Sequence, residues 1–232
     1  MAGSMVFLGM FLDSIDGAVA RLTRSVSGLG AMLDSLADLV TCGVAPAMMM
    51  LALIGGYLGQ DGQLTVLGPD ADMPWGKVVW AIAAVYVCCT ALRLARFNVE
   101  THPEEGPADH IAFHGIPSPG AAGVVVALIM LHQHVLASGV DTLWLGQAYA
   151  FGIPIVALCC AFGMVSNVPY DHFVSKYFAK PQSFRFLSMT VIVFFFAIWW
   201  FQETVVFGFI WYAMTGPIEV LRRRGKDQGD PQ

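Results

Sequence analysis

The chain has 232 residues, of which 56% are hydrophobic and only 12% are charged. Soluble globular domains carry about 25% charged residues, so this composition argues against an ordinary soluble fold. The formal net charge of −5 gives no basis for a nucleic-acid partner, and the five cysteines lie in apolar runs without a CxxC spacing, which favours small buried residues over a zinc or disulfide framework.

Long apolar segments predict a membrane protein, because a helix needs about 17–25 apolar residues to cross a bilayer. Seven spans are predicted, at about residues 2–22, 31–57, 76–97, 117–138, 146–168, 186–201 and 204–221. The sixth is short, and its separation from the seventh rests on Gln202, Glu203 and Thr204. The predicted fold is an all-α, polytopic membrane helix bundle over residues 1–221, followed by a basic cytoplasmic tail at residues 222–232.

Basic residues are distributed unequally between the two sides of this predicted bundle. Eleven of the 12 lysines and arginines fall on one side, and Lys77 is the exception. The positive-inside rule makes that side cytoplasmic, and it is also the side on which the aspartates between residues 13 and 38 lie. Seven spans that end inside must begin outside, and a further helix ahead of the chain would change this parity.

Four aspartates form two pairs at helical spacing. Asp13 and Asp16 are three residues apart, and Asp34 and Asp38 are four apart, so each pair shares one face of its helix. A lone carboxylate at the centre of a membrane helix costs about 3 kcal/mol on insertion scales, so compensating positive charge is expected. The two arginines between the pairs supply part of it. Divalent cations prefer such oxygen ligands, and two of them would clamp phosphate oxygens.

Two other interpretations of the aspartates remain open at this point. The first is a solvated helix end facing the cytoplasm, where acidic and basic residues have no specific role. The second is a divalent cation transporter, because intramembrane acids also line ion pathways. Small residues beside the acids, Gly17 on the first helix and Gly30 at the start of the second, would let a ligand approach the backbone closely.

The same stretch resembles a family signature. Asp13-x-x-Asp16-Gly17-x-x-Ala20-Arg21, then eight residues, Gly30, three residues, Asp34, three residues and Asp38 is similar at every fixed position to D-x2-D-G-x2-A-R-x8-G-x3-D-x3-D, the signature of the CDP-alcohol phosphotransferases. The resemblance implies an integral membrane enzyme that transfers a phosphatidyl or similar group from a CDP-linked donor to an alcohol. The transporter interpretation gives no reason for the signature's glycine, alanine and arginine positions.

The resemblance also implies roles for individual residues. Asp13, Asp16 and Asp34 would bind divalent metal, with two ions expected, Mg²⁺ or Mn²⁺, and Ca²⁺ as a further candidate. Asp38 would lie near the second metal and act as the general base on the acceptor hydroxyl. The residues that would bind the cytidine diphosphate group are Asp13, Gly17, Ala20, Arg21 and Gly30.

Four further segments, "LDSLADLVTCGVAPA", "ALRLARFNVE", "FHGIPSPGAAG" and "MVSNVPY", resemble the bacterial phosphatidylserine synthases of this family. This likeness implies CDP-diacylglycerol as donor, L-serine as acceptor, a homodimer among membrane lipids, and a bacterial inner membrane with the active site on its cytoplasmic side. The same chemistry on glycerol 3-phosphate or an inositol phosphate is the alternative. The candidate acceptor contacts are Arg93, Arg96, Asn98 and His114.

Two features depart from the family pattern. The family usually has a helix with a Pro-Asn-x-x-Thr segment ahead of the signature, whereas only twelve residues precede Asp13, so the chain is expected to lack that helix. His114 stands where many relatives have a lysine, which makes the charge at that position dependent on pH.

Overall fold

The computed structural model describes residues 2–23, 28–58, 68–69, 71, 73–101, 115–139, 143–166 and 201–227. Every regular element in these ranges is helical, and no strand occurs among them. A π-helical segment, Leu39–Val44, joins the second and third α-helices without a break. The α-helices are α1 (Ala2–Thr23), α2 (Gly28–Asp38), α3 (Ala45–Leu58), α4 (Pro74–Thr101), α5 (Ser118–Ala137), α6 (Leu143–Val165) and α7 (Phe201–Asp227).

Four continuous helices in the described part of the chain are long and apolar enough to cross a membrane: Gly28–Tyr57, Pro74–Val99, Ser118–Ala137 and Trp144–Val165. They correspond to the second to fifth predicted spans, so within the described residues the prediction of an all-α membrane protein is confirmed. Counting Gly28–Leu58 as one helix, the described ranges contain six helices, and the predicted number of seven is not confirmed. The sixth predicted span lies, up to residue 200, outside the described residues.

The start of the last helix differs from the prediction. Gln202, Glu203 and Thr204 do not form a break but lie in the first turn of α7, which begins at Phe201. An acidic side chain is favourable there because it faces the positive end of the helix dipole. Glu203 also lies 3.8 Å from His134 of α5, measured from Oε1 to Nε2. The helix dipole thus favours a helical conformation for Glu203, and the contact with His134 joins the start of α7 to α5. The helix continues to Asp227, so the first residues of the expected tail are helical.

The core lies between helices that are far apart in sequence. α4 packs against α6, and α5 packs against α7. Small residues in the first half of α5 bring it close to α7: a Cβ added at Gly120 would lie 2.8 Å from Cε1 of Tyr212, and one at Gly123 would overlap the ring of Phe209. Side chains such as Tyr86, which is 1% exposed, fill the space between α3, α4 and α6. The continuous helix over residues 28–58, which carries Asp34 and Asp38, packs against α4 and α5 mainly through residues 39–58.

Cysteines in this core only partly follow the sequence expectation. Cys42, Cys89 and Cys160 are buried, as expected, whereas Cys88 and Cys159 are exposed on the bundle surface. Adjacent residues on a helix point about 100° apart, so only one member of each neighbouring pair can face the core.

Two glycines with positive φ provide a first test of the fold. Gly115 (φ +88°) precedes α5, and an added Cβ would lie 2.5 Å from the carbonyl oxygen of Met164, whereas at Gly139 (φ +76°) it would meet nothing within 4 Å. Gly139→Ala should therefore cost about 1 kcal/mol of backbone strain, and Gly115→Ala more than about 2 kcal/mol because a backbone clash is added. Unfolding of the detergent-solubilised variants measures both. Equal costs would contradict the close contact between Gly115 and the end of α6.

Candidate active site

The carboxyl groups of three aspartates meet between α1 and α2. Asp13 lies in the second half of α1, and its carboxyl is close enough to those of Asp34 and Asp38 on α2 to interact with both electrostatically. Asp16, one turn further along α1, is close enough to interact electrostatically with Asp13. The helical spacing explains this arrangement, because each pair presents its members on one face and the two faces turn towards each other.

These carboxylates differ in their exposure to solvent. Asp13 and Asp38 are partly buried, whereas Asp16 and Asp34 are exposed. Arg93 of α4 attracts Asp38 electrostatically and offsets part of the negative charge. The thiol of Cys42, one turn after Asp38, is 4.0 Å from Asp38 Oδ1. Asp38 is thus the most deeply buried of the four aspartates and lies near Arg93 of a second helix. Asp16 and Asp34 lie on the open side of the cluster.

The donor chemistry of the cluster fits a divalent cation. Carboxylate oxygens on two helices are the ligands that Mg²⁺, Mn²⁺ and Ca²⁺ prefer. In the described ranges, however, no group of three or more His, Cys, Asp or Glu side chains is arranged to hold a metal ion. The side chains therefore have the chemistry of metal ligands, although those in the described ranges do not form a complete set of ligands.

The predicted cytidine diphosphate contacts follow the aspartates along α1 and α2. Gly17 is partly buried on α1, and Gly30 is exposed in the first turn of α2. Ala20 and Arg21 belong to the last turn of α1, but their side chains lie outside the described residues, as does the connection at residues 24–27. The two glycines thus lie on the helices that carry the acids.

Arg93 is the predicted acceptor contact that the structure places beside the acids. Its Nη1 donates a hydrogen bond to Ser118 Oγ at 3.2 Å, and its Cζ lies 5.6 Å from the ring centroid of Phe97. Besides Asp38, it interacts electrostatically with Tyr212 of α7. Arg96, one turn further along α4, is exposed. The two arginines that the sequence treats as equivalent thus have different environments.

Asn98 contacts α2 through Ser35, a residue that was not predicted from the sequence as part of the site. Its Nδ2 donates to Ser35 Oγ at 2.9 Å, and that hydroxyl also donates to the carbonyl of Ala31 at 3.1 Å. Ser35 lies between Asp34 and Asp38, at a variable position of the signature. Its hydroxyl in an otherwise apolar helix segment was the signal available in the sequence. The remaining acceptor candidate, His114, lies outside the described residues.

Comparison with known proteins agrees with the signature. A family model described as CDP-alcohol phosphatidyltransferase matches residues 1–164. The CDP-diacylglycerol–serine O-phosphatidyltransferase of Helicobacter pylori is 35% identical over 175 residues, which is 75% of this chain and 61% of that protein. The protein of the same description from Bacillus subtilis is 32% identical over 169 residues, which is 72% of this chain and 73% of that protein.

The chain spans less than two thirds of the Helicobacter pylori relative, 61% of its length. No significant match to a solved structure was found. The family match covers well over half of the chain and includes all four aspartates. The chain therefore belongs to the CDP-alcohol phosphatidyltransferase family.

Proposed function

We propose that the protein transfers a phosphatidyl group from CDP-diacylglycerol to the hydroxyl of L-serine, giving phosphatidylserine and CMP. The observation that carries the proposal is the meeting of Asp13 with Asp34 and Asp38 across two helices, in a chain of this family. The relatives described above are named for this donor and this acceptor.

Asp13, Asp16, Asp34 and Asp38 would hold one or two divalent cations, Mg²⁺ or Mn²⁺, with Ca²⁺ as a further candidate. Bound there, a divalent cation would offset the charge of the donor's pyrophosphate and polarise its P–O bonds. The exposed positions of Asp16 and Asp34 support entry of a charged ligand from the open side of the cluster. Gly17, Ala20, Arg21 and Gly30, on the same two helices, would bind the cytidine diphosphate group.

Asp38 is the general base in this proposal. Its carboxylate takes the proton of the serine hydroxyl as the serine oxygen forms a bond to the lipid-linked phosphorus. The P–O bond between that phosphorus and the bridging oxygen breaks, and CMP leaves with the electron pair. The partial burial of Asp38 supports this role, because limited access of water favours proton transfer from the serine hydroxyl over transfer from a competing water molecule.

Arg93 would bind the serine carboxylate. A planar guanidinium pairs with a carboxylate through two parallel hydrogen bonds, and Arg93 is already oriented by Ser118 near Asp38. We assign this role to Arg93 in preference to Arg96, because Arg96 is exposed. Asn98, bonded to Ser35, and His114 complete the proposed acceptor side.

The membrane arrangement of the active protein is part of the proposal. Seven spans over residues 1–221 and a basic tail at residues 222–232 would place the aspartates on the cytoplasmic side of a bacterial inner membrane. The basic residues of the tail would attract anionic lipid headgroups. The active protein would be a homodimer.

The test is an acceptor competition with purified protein and CDP-diacylglycerol. With labelled L-serine, CMP and phosphatidylserine should form when Mg²⁺ or Mn²⁺ is present, and chelation should stop both. Glycerol 3-phosphate and an inositol phosphate are added as competing acceptors at fixed donor. Preferential labelling of either alternative would overturn the serine assignment. Metal flux into liposomes without CMP release would overturn the whole proposal in favour of a cation transporter.

A further inference from the structure

The helix that carries Asp34 and Asp38 widens immediately after Asp38. The π-helical segment Leu39–Val44 follows Asp38 directly, and its end is marked by a hydrogen bond from the amide of Ala45 to the carbonyl of Val40, five residues back. Pro46 explains the widening. Proline has no N–H, and in a regular α-helix its ring would clash with the carbonyl of the residue four positions earlier, which here is Cys42.

Tyr86 of α4 supplies the hydrogen bond that Pro46 cannot give. Its hydroxyl donates to the carbonyl oxygen of Cys42 at 3.1 Å. Tyr86 is 1% exposed and is among the largest fully buried side chains, and Pro46 and Cys42 are fully buried as well. A buried carbonyl without a hydrogen-bond partner is destabilising. The Tyr86 hydroxyl removes this cost and so stabilises the widened conformation of the helix.

A second contact holds the same segment against α4. A Cβ added at Gly43 would lie 3.3 Å from Cβ of Thr90, so only a glycine lets the two helices approach so closely without displacement. The Thr90 hydroxyl donates to the carbonyl of Tyr86 at 2.9 Å, which fixes its own side chain against α4. Tyr86 and Thr90, one turn apart, thus meet two consecutive residues of the π-helical segment.

A π-helical segment accommodates an extra residue in its turn and so rotates the helix before it relative to the helix after it. α3 is anchored in the core by Met50 and Ile54, both fully buried. The orientation of α2, and hence the direction of Asp34 and Asp38 towards Asp13, therefore depends on the rotation set at Leu39–Val44.

We propose that Tyr86 is a positioning residue for the aspartate cluster, acting through its hydrogen bond to the Cys42 carbonyl. It touches no substrate in this proposal. It holds the π-helical segment in the one conformation in which Asp38 faces Asp13. The inference rests on the proposed function, because it assigns to Tyr86 the orientation of the residues that would bind cations and take the serine proton.

Tyr86→Phe removes the hydroxyl and keeps the ring. The matched control is Tyr57→Phe, because the Tyr57 hydroxyl also makes a hydrogen bond within the bundle, to Nε2 of the buried His132, but lies at the other end of α3. Electron paramagnetic resonance of free Mn²⁺ measures cation binding by the detergent-solubilised protein. The dissociation constant for Mn²⁺ should rise about tenfold in Tyr86→Phe, as is typical when a group that orients metal ligands is removed, and stay within about twofold in Tyr57→Phe.

Thermal unfolding and activity separate positioning from general destabilisation. Both variants should remain folded at the assay temperature, and saturating Mn²⁺ should restore CMP release in Tyr86→Phe to within about threefold of the parent. Equal Mn²⁺ affinity in the two variants would overturn the inference. An unaltered protein that binds no Mn²⁺ and releases no CMP would instead overturn the proposed function, so the two failures are distinguishable.

A double-mutant cycle tests the assigned partner. Pro46→Ala restores the N–H that can bond the Cys42 carbonyl in a regular helix, so it should by itself weaken Mn²⁺ binding by removing the widening. Loss of the Tyr86 hydroxyl should then change Mn²⁺ affinity by less than about a further twofold. An undiminished tenfold effect in the Pro46→Ala background would show that Tyr86 does not act through this carbonyl.

Discussion

Asp38→Asn is expected to lower kcat for CMP release by about 10²–10⁴-fold while leaving the affinity for CDP-diacylglycerol within a few-fold of the parent. The amide has nearly the size of the carboxylate and can keep a contact with Asp13, but it cannot accept the proton of the serine hydroxyl. Turnover with labelled serine measures kcat, and calorimetric titration with CDP-diacylglycerol in the absence of acceptor measures donor affinity.

Glu203→Gln is the matched control for Asp38→Asn. It is the same carboxylate-to-amide change, at a side chain that lies beside His134 at the start of α7 and has no role in the proposed chemistry. Its kcat should stay within about twofold of the parent. A loss of donor affinity in Asp38→Asn as large as the loss of kcat would contradict the assignment as general base, and would instead assign Asp38 to donor or cation binding alone.

Arg93→Lys is expected to raise the KM for L-serine by about 10–100-fold with a much smaller change in kcat. Lysine keeps the positive charge near Asp38 but loses the planar pair of donors that matches a carboxylate, and a hydrogen bond to a charged group contributes about 1.5–3 kcal/mol. The side chain would also lose the geometry of its bond to Ser118. Initial rates over a range of serine concentrations at saturating donor measure the effect.

Arg96→Lys is the paired variant, three residues further along the same helix. Because Arg96 is exposed whereas Arg93 is partly buried against α5, its KM for serine should stay within about twofold. Equal increases in both variants would contradict the distinction between the two arginines. A fall in kcat at unchanged KM in Arg93→Lys would assign Arg93 to the orientation of Asp38 rather than to the acceptor.

Much of the bundle was predictable because its signals are local. Apolar length alone placed the four spans between Gly28 and Val165, since a bilayer sets the length of the helix that crosses it. The error at Glu203 has a local cause and a tertiary one. Three polar residues between apolar segments resemble a turn, but the helix dipole and His134 of another helix stabilise Glu203 in a helical first turn.

The pairing of the aspartates was also predictable, whereas their surroundings were not. Spacings of three and four residues place Asp13 beside Asp16 and Asp34 beside Asp38 on any helix, whatever it packs against. The difference between Arg93 and Arg96 depends on where α5 lies, and no pattern within α4 contains that information. Asn98 was predicted as an acceptor contact, and its bond to Ser35, 63 residues away in sequence, became visible only in the folded chain.

The sequence by itself determined the class of protein, the positions of most helices and the residues of the family signature, because each depends on hydropathy or on spacing within one segment. The tertiary structure decided which carboxyl groups meet, which arginine stands beside Asp38, and how the widened helix after Asp38 is held. These features depend on contacts such as Tyr86 to Cys42, 44 residues apart. Such a contact forms only when whole helices are placed correctly relative to each other. That placement is set by the packing of the entire bundle, so no single segment of the sequence encodes it.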